Sequence, residues 1–390
     1  MAESEVRDPA GGSNQSGLRD RNARVVLSYI RRHGAMASAE IARRSGLSAQ
    51  TVSNIVRALE TDGLLQREAA VKGRVGKPSI PMALDPEGVL SLGLNIGRRS
   101  LELVLVDFTG RQIDAEVMTY AYPSTGQVFR FVEEKVPALI ARNQADRGNI
   151  AGLGIARPNN IWHWLEFVKA PAAAMQEWRE LDLETEMRRL TGFDPVIEND
   201  ATSACIAEHL LGRGEEFDDF AYIFVGAFVG GGLVLDGKVL SGKTLNAAAF
   251  GPLPVPDGKG GTVQLLDVAS VHVLEQALEA AGQDSRVLRT DGLSWEGLGP
   301  LLDHWIDGTA RHLAIACAAV TSIVEVEAIL IDGAFPPEVR DRLTRGVRSA
   351  FSELDITGIQ KPRIEEAATG KRARSIGAAL LPIHNRYFLA

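Results

Sequence analysis

Cysteine is nearly absent from this 390-residue chain: only Cys205 and Cys317 occur. Two thiols exclude a disulfide framework and any metal centre built from several cysteines. Long apolar runs are missing too. The longest, His312 to Val324 (HLAIACAAVTSIV), is stopped by Glu325 and falls short of the roughly 20 residues that a bilayer-crossing helix needs. It reads as a buried helix, and no membrane partner is expected. The opening MAESEVRDPAGGSNQSG lacks the apolar core of an export signal. Residues 1–17 therefore read as a disordered leader, and the cytoplasm is the expected compartment.

What is present fits a soluble globular chain, with 45% apolar and 24% charged residues. Its length implies two or three domains. Charge is unevenly spread. From Leu18 to Ile80 there are 12 Lys/Arg against 5 Asp/Glu, so a segment of +7 belongs to a chain of net charge −8, leaving −15 for the rest. A basic head on an acidic body predicts that the head alone meets a polyanion, although a solvated basic surface would read the same way.

The head shows three helical patterns. Asn22 to His33 puts Val25, Val26, Tyr29 and Ile30 on one face, and Ser38 to Arg44 turns Ile41 and Ala42 inward. Gly46 can supply the positive φ that ends this second helix, and Ser48 is a good N-cap for a third. In that helix Val52, Ile55, Val56 and Leu59 recur at helical spacing. Its other face carries Gln50, Thr51, Asn54 and Arg57. Gln and Asn amides match adenine edges, and Arg matches guanine or phosphate. Leu64 to Glu68 then reads as a strand, followed by a glycine-containing tip with Lys72, Arg74 and Lys77 and a returning strand. The predicted unit is a winged helix-turn-helix, residues 18–84, that binds a double-stranded DNA operator. Its candidate contacts are Ser48, Gln50, Thr51, Asn54, Arg57, Lys72, Arg74 and Lys77. A small helical domain with a polar surface is the plainer alternative.

From about Leu84 strands alternate with helices, which predicts an α/β body over residues 85–390. Expected strands are VLSLGLNI, SLELVLVDF, AGLGIA, AYIFVGAF, GGLVLDG, EAILIDGA and PRIEEAA, with helices over Gly126–Gln144 and Ala201–Leu211. Two segments share an order: LGLNIGRRSLELVLVDFTG from Leu92 and YIFVGAFVGGGLVLDG from Tyr222 each read as strand, glycine turn, strand, Asp, Gly. A hairpin repeated about 130 residues apart predicts two related lobes with a cleft between them. That architecture resembles the actin-like sugar kinases and ATPases, in which such turns offer backbone N–H groups to phosphates.

The head, VIENDATSACIAEHLLG from Val196 and VGAFVGGGLVLDGKVLSGKTLNAAAFG from Val225 together resemble the ROK family of repressors and sugar kinases. The resemblance runs from Leu18 onward. It implies that Asn199 binds a sugar and that Asp200 matches the kinases' general base, although the pair also reads as an N-cap for the helix from Ala201. The rest of the kinase apparatus is replaced. The first phosphate loop, D-I-G-G-T in the kinases, is here Asn95-Ile96-Gly97-Arg98-Arg99. The second, G-T-G-x-G-G-G, is Gly226-Ala227-Phe228-Val229-Gly230-Gly231-Gly232. Phosphoryl transfer rests on positioning and charge stabilisation, so no catalytic residue and no kinase activity are expected. The family's E-x-G-H stands as Ala249-Phe250-Gly251-Pro252, and its cysteine-rich zinc segment as Val255 to Thr262 without a thiol. No metal or cofactor is expected.

The loop Gly154-Ile155-Ala156-Arg157-Pro158 continues into NNIWHW. Arg157 can pair with a carboxylate or phosphate, while Trp162, His163 and Trp164 can stack on a sugar face. A surface ion pair and core packing are the plainer readings. Candidate effector residues are thus Asn199, Asp200, Arg157 and His163, for a sugar, sugar phosphate or sugar acid. The expected whole is a repressor of carbohydrate genes, a homodimer or dimer of dimers. A regulator with no effector, or one controlled by a protein partner, is the alternative. An active sugar kinase with a DNA-binding head is the third reading.

Overall fold

The computed structural model describes residues 15–69, 80–159, 161, 170–290 and 292–389. Most of the expected leader, the wing tip with Lys72, Arg74 and Lys77, and the Trp162–Trp164 segment with His163 lie outside the described residues. The chain divides into two compact units. One comprises Met1–Leu90, Asp107–Thr109 and Ile383–Ala390; the other comprises Ser91–Val106 and Gly110–Pro382.

The first unit opens with α1 (Gln15–His33), α2 (Ser38–Ser45) and α3 (Ala49–Thr61). Helix α1 starts before Asn22, where the apolar spacing begins, because the intervening Leu and Arg residues are good helix formers. Val26, Leu27, Ile30, Ile41, Val52, Val56 and Leu59 are buried and make the core. Gly46, at φ +72, ends α2 and donates its N–H to Ala42 O at 3.1 Å. Strands β1 (Leu65–Arg67) and β2 (Met82–Leu84) pair antiparallel, Leu65 with Leu84, and Met36 and Met82 exchange backbone hydrogen bonds of 3.0 and 2.8 Å. This is the expected three-helix, two-strand head.

Its remaining parts come from distant sequence. Phe108 packs edge-on to Tyr387 at 5.2 Å and stacks with Phe388 at 5.6 Å. Ser28 Oγ accepts the Leu389 N–H at 3.0 Å, Arg24 Nε donates to Arg386 O at 3.1 Å, and Arg31 sits 4.5 Å over the Phe388 ring. Two short segments of remote chain are thereby fastened to α1 and to each other.

In the second unit the strands and helices follow as β3 (Leu90–Ile96), β4 (Ser100–Val106), β5 (Gln112–Thr119), α4 (Thr125–Arg142), β6 (Ile150–Arg157), α5 (Ala172–Glu180), α6 (Leu183–Thr191), β7 (Pro195–Asn199) and α7 (Asp200–Leu211). Then come β8 (Phe220–Val225), β9 (Val229–Leu235), β10 (Lys238–Val239), β11 (Pro254–Pro256), β12 (Thr262–Gln264), α8 (Leu265–Ala269) and α9 (Val271–Ala280). The last are α10 (Pro300–Ile323), β13 (Ala328–Gly333), α11 (Pro337–Ser352), β14 (Arg363–Glu366) and α12 (Ala373–Tyr387).

Two five-stranded sheets organise these elements, ordered β5-β4-β3-β6-β7 and β10-β9-β8-β13-β14. Each begins with antiparallel strands and ends with a parallel pair. The two share one topology, as the repeated hairpin predicts. Every residue of β8 and β13 is buried, as expected of strands covered on both faces.

Glycines let α12 and α7 approach the backbone around them. A Cβ at Gly93 of β3 would lie 2.1 Å from Ser375 O, and one at Gly154 of β6 would lie 1.7 Å from Ala378 O. A Cβ at Gly377 of α12 would lie 1.7 Å from Ser203 O of α7. Helix α10 packs along α11, which contacts β13 and β14; Leu313, Ala314 and Cys317 of the long apolar run are buried in one core with Ile329 and Ile331 of β13, whereas Ile323 is exposed.

Candidate functional site

On α3 the buried Val52, Val56 and Leu59 fix which face remains outward. Ser48 Oγ accepts the Thr51 N–H at 3.1 Å, and the two hydroxyls are 2.8 Å apart. Both are engaged in the cap. Gln50, Asn54 and Arg57 are exposed at helical spacing, and Gln50 Nε2 donates to Asn54 Oδ1 at 3.1 Å. An amide pair one turn apart, prealigned by that bond and followed by an arginine one turn on, is a surface suited to base edges and phosphate. Arg67 of β1 forks onto Glu60 with bonds of 2.5 and 3.1 Å, which ties α3 to the strand behind it.

The second unit holds a cavity of about 660 Å³, counting its open mouth. Its wall combines Asn199 and Asp200 with Asn159, Asn246, Phe224, Phe228, Gly230, Ala249, Pro252, Arg98 and Arg374. Asn199 is the N-cap of α7: its Oδ1 accepts the Ala201 and Thr202 N–H groups at 2.9 and 3.2 Å. Asp200 opens the same helix and is buried, where the helix dipole favours a carboxylate. Asn199 is thus the N-cap of α7, and both residues of the pair line the cavity. Beside them Glu198 accepts the Asn199 N–H at 2.7 Å and the Ser241 hydroxyl at 2.9 Å, while burial raises its carboxyl above the usual glutamate range.

Arg157 pairs in register with Asn199 across β6 and β7, yet it is not among the lining residues; its neighbours Pro158 and Asn159 are. Its Nε is buried with no hydrogen-bond partner, and burial lowers its pKa. Among the described residues, the arginines that line the cavity are two others. Arg98, in the turn between β3 and β4, lies 4.4 Å over the ring of Phe228, in the turn between β8 and β9. The two hairpin turns therefore meet through a cation–π contact. Arg374, at the start of α12, lies 5.0 Å from the Phe224 ring centroid with Nη1 3.7 Å from Asp200 Oδ2. Arg98 stands in the sequence as a replaced loop residue. Arg374 gives no sequence signal, because only the tertiary fold brings α12 to the cavity.

The retained glycines have packing duties. A Cβ at Gly230 would lie 2.8 Å from Ala201 Cβ, and one at Gly232 would lie 2.4 Å from Cys205 Cβ, both on α7. A Cβ at Gly231 would meet the Phe250 ring at 2.4 Å, so Phe250 fills the space over the hairpin. Ala249 and Pro252 line the cavity without any side-chain hydrogen-bonding group. The Val255–Thr262 segment forms the β11–β12 hairpin, closed by Asp257 Oδ1, which accepts the Lys259 and Gly261 N–H groups at 2.7 and 2.8 Å. With its carboxylate so engaged this loop offers no zinc ligand set. Among the described residues no group of three or more His, Cys, Asp or Glu side chains is placed to hold a metal, and no helix is long and apolar enough to cross a membrane. Cys205 and Cys317 are buried and unpaired with each other, and burial pushes the Cys317 thiol up to about 12.

Residues 91–271 match the ROK family, and residues 17–74 match the MarR family. The DNA-binding transcriptional repressor Mlc of Escherichia coli (strain K12) is 23% identical over 392 residues, covering 93% of this chain and 93% of that protein. The DNA-binding transcriptional dual regulator NagC of the same organism is 22% identical over 351 residues, 83% of this chain and 84% of that protein. Among solved structures, a ROK family transcriptional regulator described as a homolog of E. coli MLC superposes with a TM-score of 0.69 at 23% identity, over 95% of this chain and 97% of that one.

Proposed function

From the premise that this chain joins a MarR-like winged helix to a ROK family domain, we propose that it is a sequence-specific transcriptional regulator, a repressor of carbohydrate genes. In this reading residues 18–84 bind operator DNA and residues 85–390 bind a sugar, sugar phosphate or sugar acid and assemble the protein as a homodimer or dimer of dimers in the cytoplasm. The observation that carries it is the exposed Gln50–Asn54–Arg57 face of a helix N-capped by Ser48. A two-fold dimer would present two such helices to half-sites one or more helical turns apart.

The reading includes no catalysis. Arg98 and Phe228 sit in the two hairpin turns that correspond to the kinases' phosphate loops, and they are in contact with each other there. A panel of hexoses incubated with ATP should release no sugar-dependent ADP, and turnover would restore the kinase reading. Ala249 and Pro252 support a second reading, a regulator without a sugar effector, because they bring no hydrogen-bonding side chain to the cavity wall.

Fluorescence anisotropy with DNA from the protein's own promoter region, with and without the sugar panel, tests the proposal. Salt-dependent, sequence-preferring binding that one class of sugar relieves is the expected result. Binding of equal strength to unrelated DNA would overturn it. Specific binding that no sugar alters would favour the regulator without an effector.

A further inference from the structure

Among the described residues that line the cavity, positive charge exceeds negative: Arg98 and Arg374 stand against Asp200. Arg98 and Arg374 both face Asp200: each guanidinium interacts with that carboxylate, and Arg98 and Arg374 repel one another. Burial and that repulsion lower the Arg98 pKa to about 10, against the attraction of Asp200. The neighbouring acid, Glu102, does not balance the count. Its carboxylate pairs with Arg372 at 3.2 Å, accepts the Ser375 hydroxyl at 2.7 Å and also attracts Arg374. Among the described residues three guanidiniums, of Arg98, Arg372 and Arg374, thus face two carboxylates, and Arg98, Arg374 and Asp200 are the members that line the cavity.

Arg374 is also incompletely satisfied. Its Nη1 stands 3.7 Å from Asp200, beyond hydrogen-bond distance, and its Nε is buried with no partner. Leaving a buried charged donor unbonded costs free energy that a ligand can recover. The rest of the wall suits a polyhydroxylated molecule: Asn159, Asn199, Asn246 and Asp200 offer polar groups, while Phe224 and Phe228 offer apolar faces.

We propose that Arg98 and Arg374 hold the anionic group, a carboxylate or a phosphate, of a polyhydroxylated ligand in this cavity. Planar guanidiniums pair bidentately with either group, and a low-polarity setting strengthens that pairing over what it is worth at the surface. The inference rests on the reading of the cavity as the effector site, and it names the class of effector.

Isothermal titration of the full-length protein tests it with glucose, glucuronate, gluconate, glucose 6-phosphate and inorganic phosphate. At least one anionic sugar should bind about tenfold or more tightly than glucose. Arg374→Met and Arg98→Met should each weaken that binding by about tenfold or more, with the circular dichroism spectrum unchanged. Arg374→Lys keeps the charge and should retain the preference for anions, which separates the loss of a binding group from a folding defect. Binding of glucose in preference to every anion would overturn the proposal and leave the effector site standing. Inorganic phosphate binding as tightly as the sugar anions would overturn the polyhydroxylated part. Anion binding insensitive to both Met variants would overturn the assignment to these arginines. If no member of the panel binds, the effector reading itself falls.

Discussion

At the scale of single residues, Asn54 and Arg57 carry the proposed recognition with little structural burden of their own. Both are exposed, whereas Ser48 and Thr51 are occupied in the helix cap. The double variant Asn54→Ala, Arg57→Ala should therefore lose specific operator binding in a gel shift while its thermal midpoint stays close to that of the wild type. Surface substitutions of this kind usually alter stability by no more than about 0.5 kcal/mol. Unchanged affinity would move the DNA-reading face elsewhere. Glu198 is the opposite case, a buried acid with its carboxyl raised by burial. Below the ordinary value of 4.5 the group is protonated in both folded and unfolded chains. As pH rises past it, the unfolded chain ionises first and the folded state loses stability until Glu198 itself ionises. Glu198→Gln should abolish that slope, so the variant's thermal midpoint should gain on the wild type from pH 4.5 upward and then level off. Parallel midpoint curves would show that Glu198 is not the group responsible.

At the scale of elements, most of the architecture is legible in the sequence because apolar periodicity reports burial directly. The three head helices, both hairpins and the α4 and α7 helices follow from it. The elements that escape have physical reasons to do so. β5 is an edge strand whose residues are mostly half-buried or exposed, β10 has two residues, and β7 is hidden in a segment whose polar Glu198-Asn199-Asp200 reads first as chemistry. The site is legible in part. Asn199 and Asp200 stand out by local pattern, while Arg374 comes from a helix some 170 residues further along the chain and could be found only after folding. Glycine roles are equally tertiary. Gly377 allows α12 to touch the backbone of α7, and Gly377→Ala would drive a methyl group to 1.7 Å from Ser203 O. The expected cost is about 3 kcal/mol or more, because backbone and not a flexible side chain must move. Gly126, near the start of α4, has open space around its missing Cβ and no positive φ. Gly126→Ala should instead stabilise by about 0.4–1 kcal/mol. Urea midpoints with unchanged slopes would check both, and equal effects from the two variants would contradict the packing seen here.

At the scale of the whole molecule, the question is how occupancy of the cavity reaches DNA. The chain passes between its two units repeatedly, and one passage is a helix: α12 starts at Ala373, with Arg374 next to it at the cavity wall, and ends with Tyr387 in the unit that contains α1. Pro382, at the last residue before that division, interrupts the helix hydrogen-bond ladder, a place where a helix bends more easily. A ligand can release the operator only to the extent that it prefers the conformation that binds DNA poorly, and the coupling must then be mutual. Saturating operator DNA should therefore weaken binding of the sugar ligand by the same factor by which the ligand weakens DNA binding. Titrating ligand into the protein alone and into its operator complex measures the first factor, and anisotropy with and without ligand measures the second. Operator DNA should leave ligand affinity unchanged in the Asn54→Ala, Arg57→Ala variant, since no complex forms. Two unequal factors would mean that the ligand disturbs DNA binding by a route other than one shared two-state equilibrium, such as a change in assembly, and sedimentation at both ligand concentrations would then locate it.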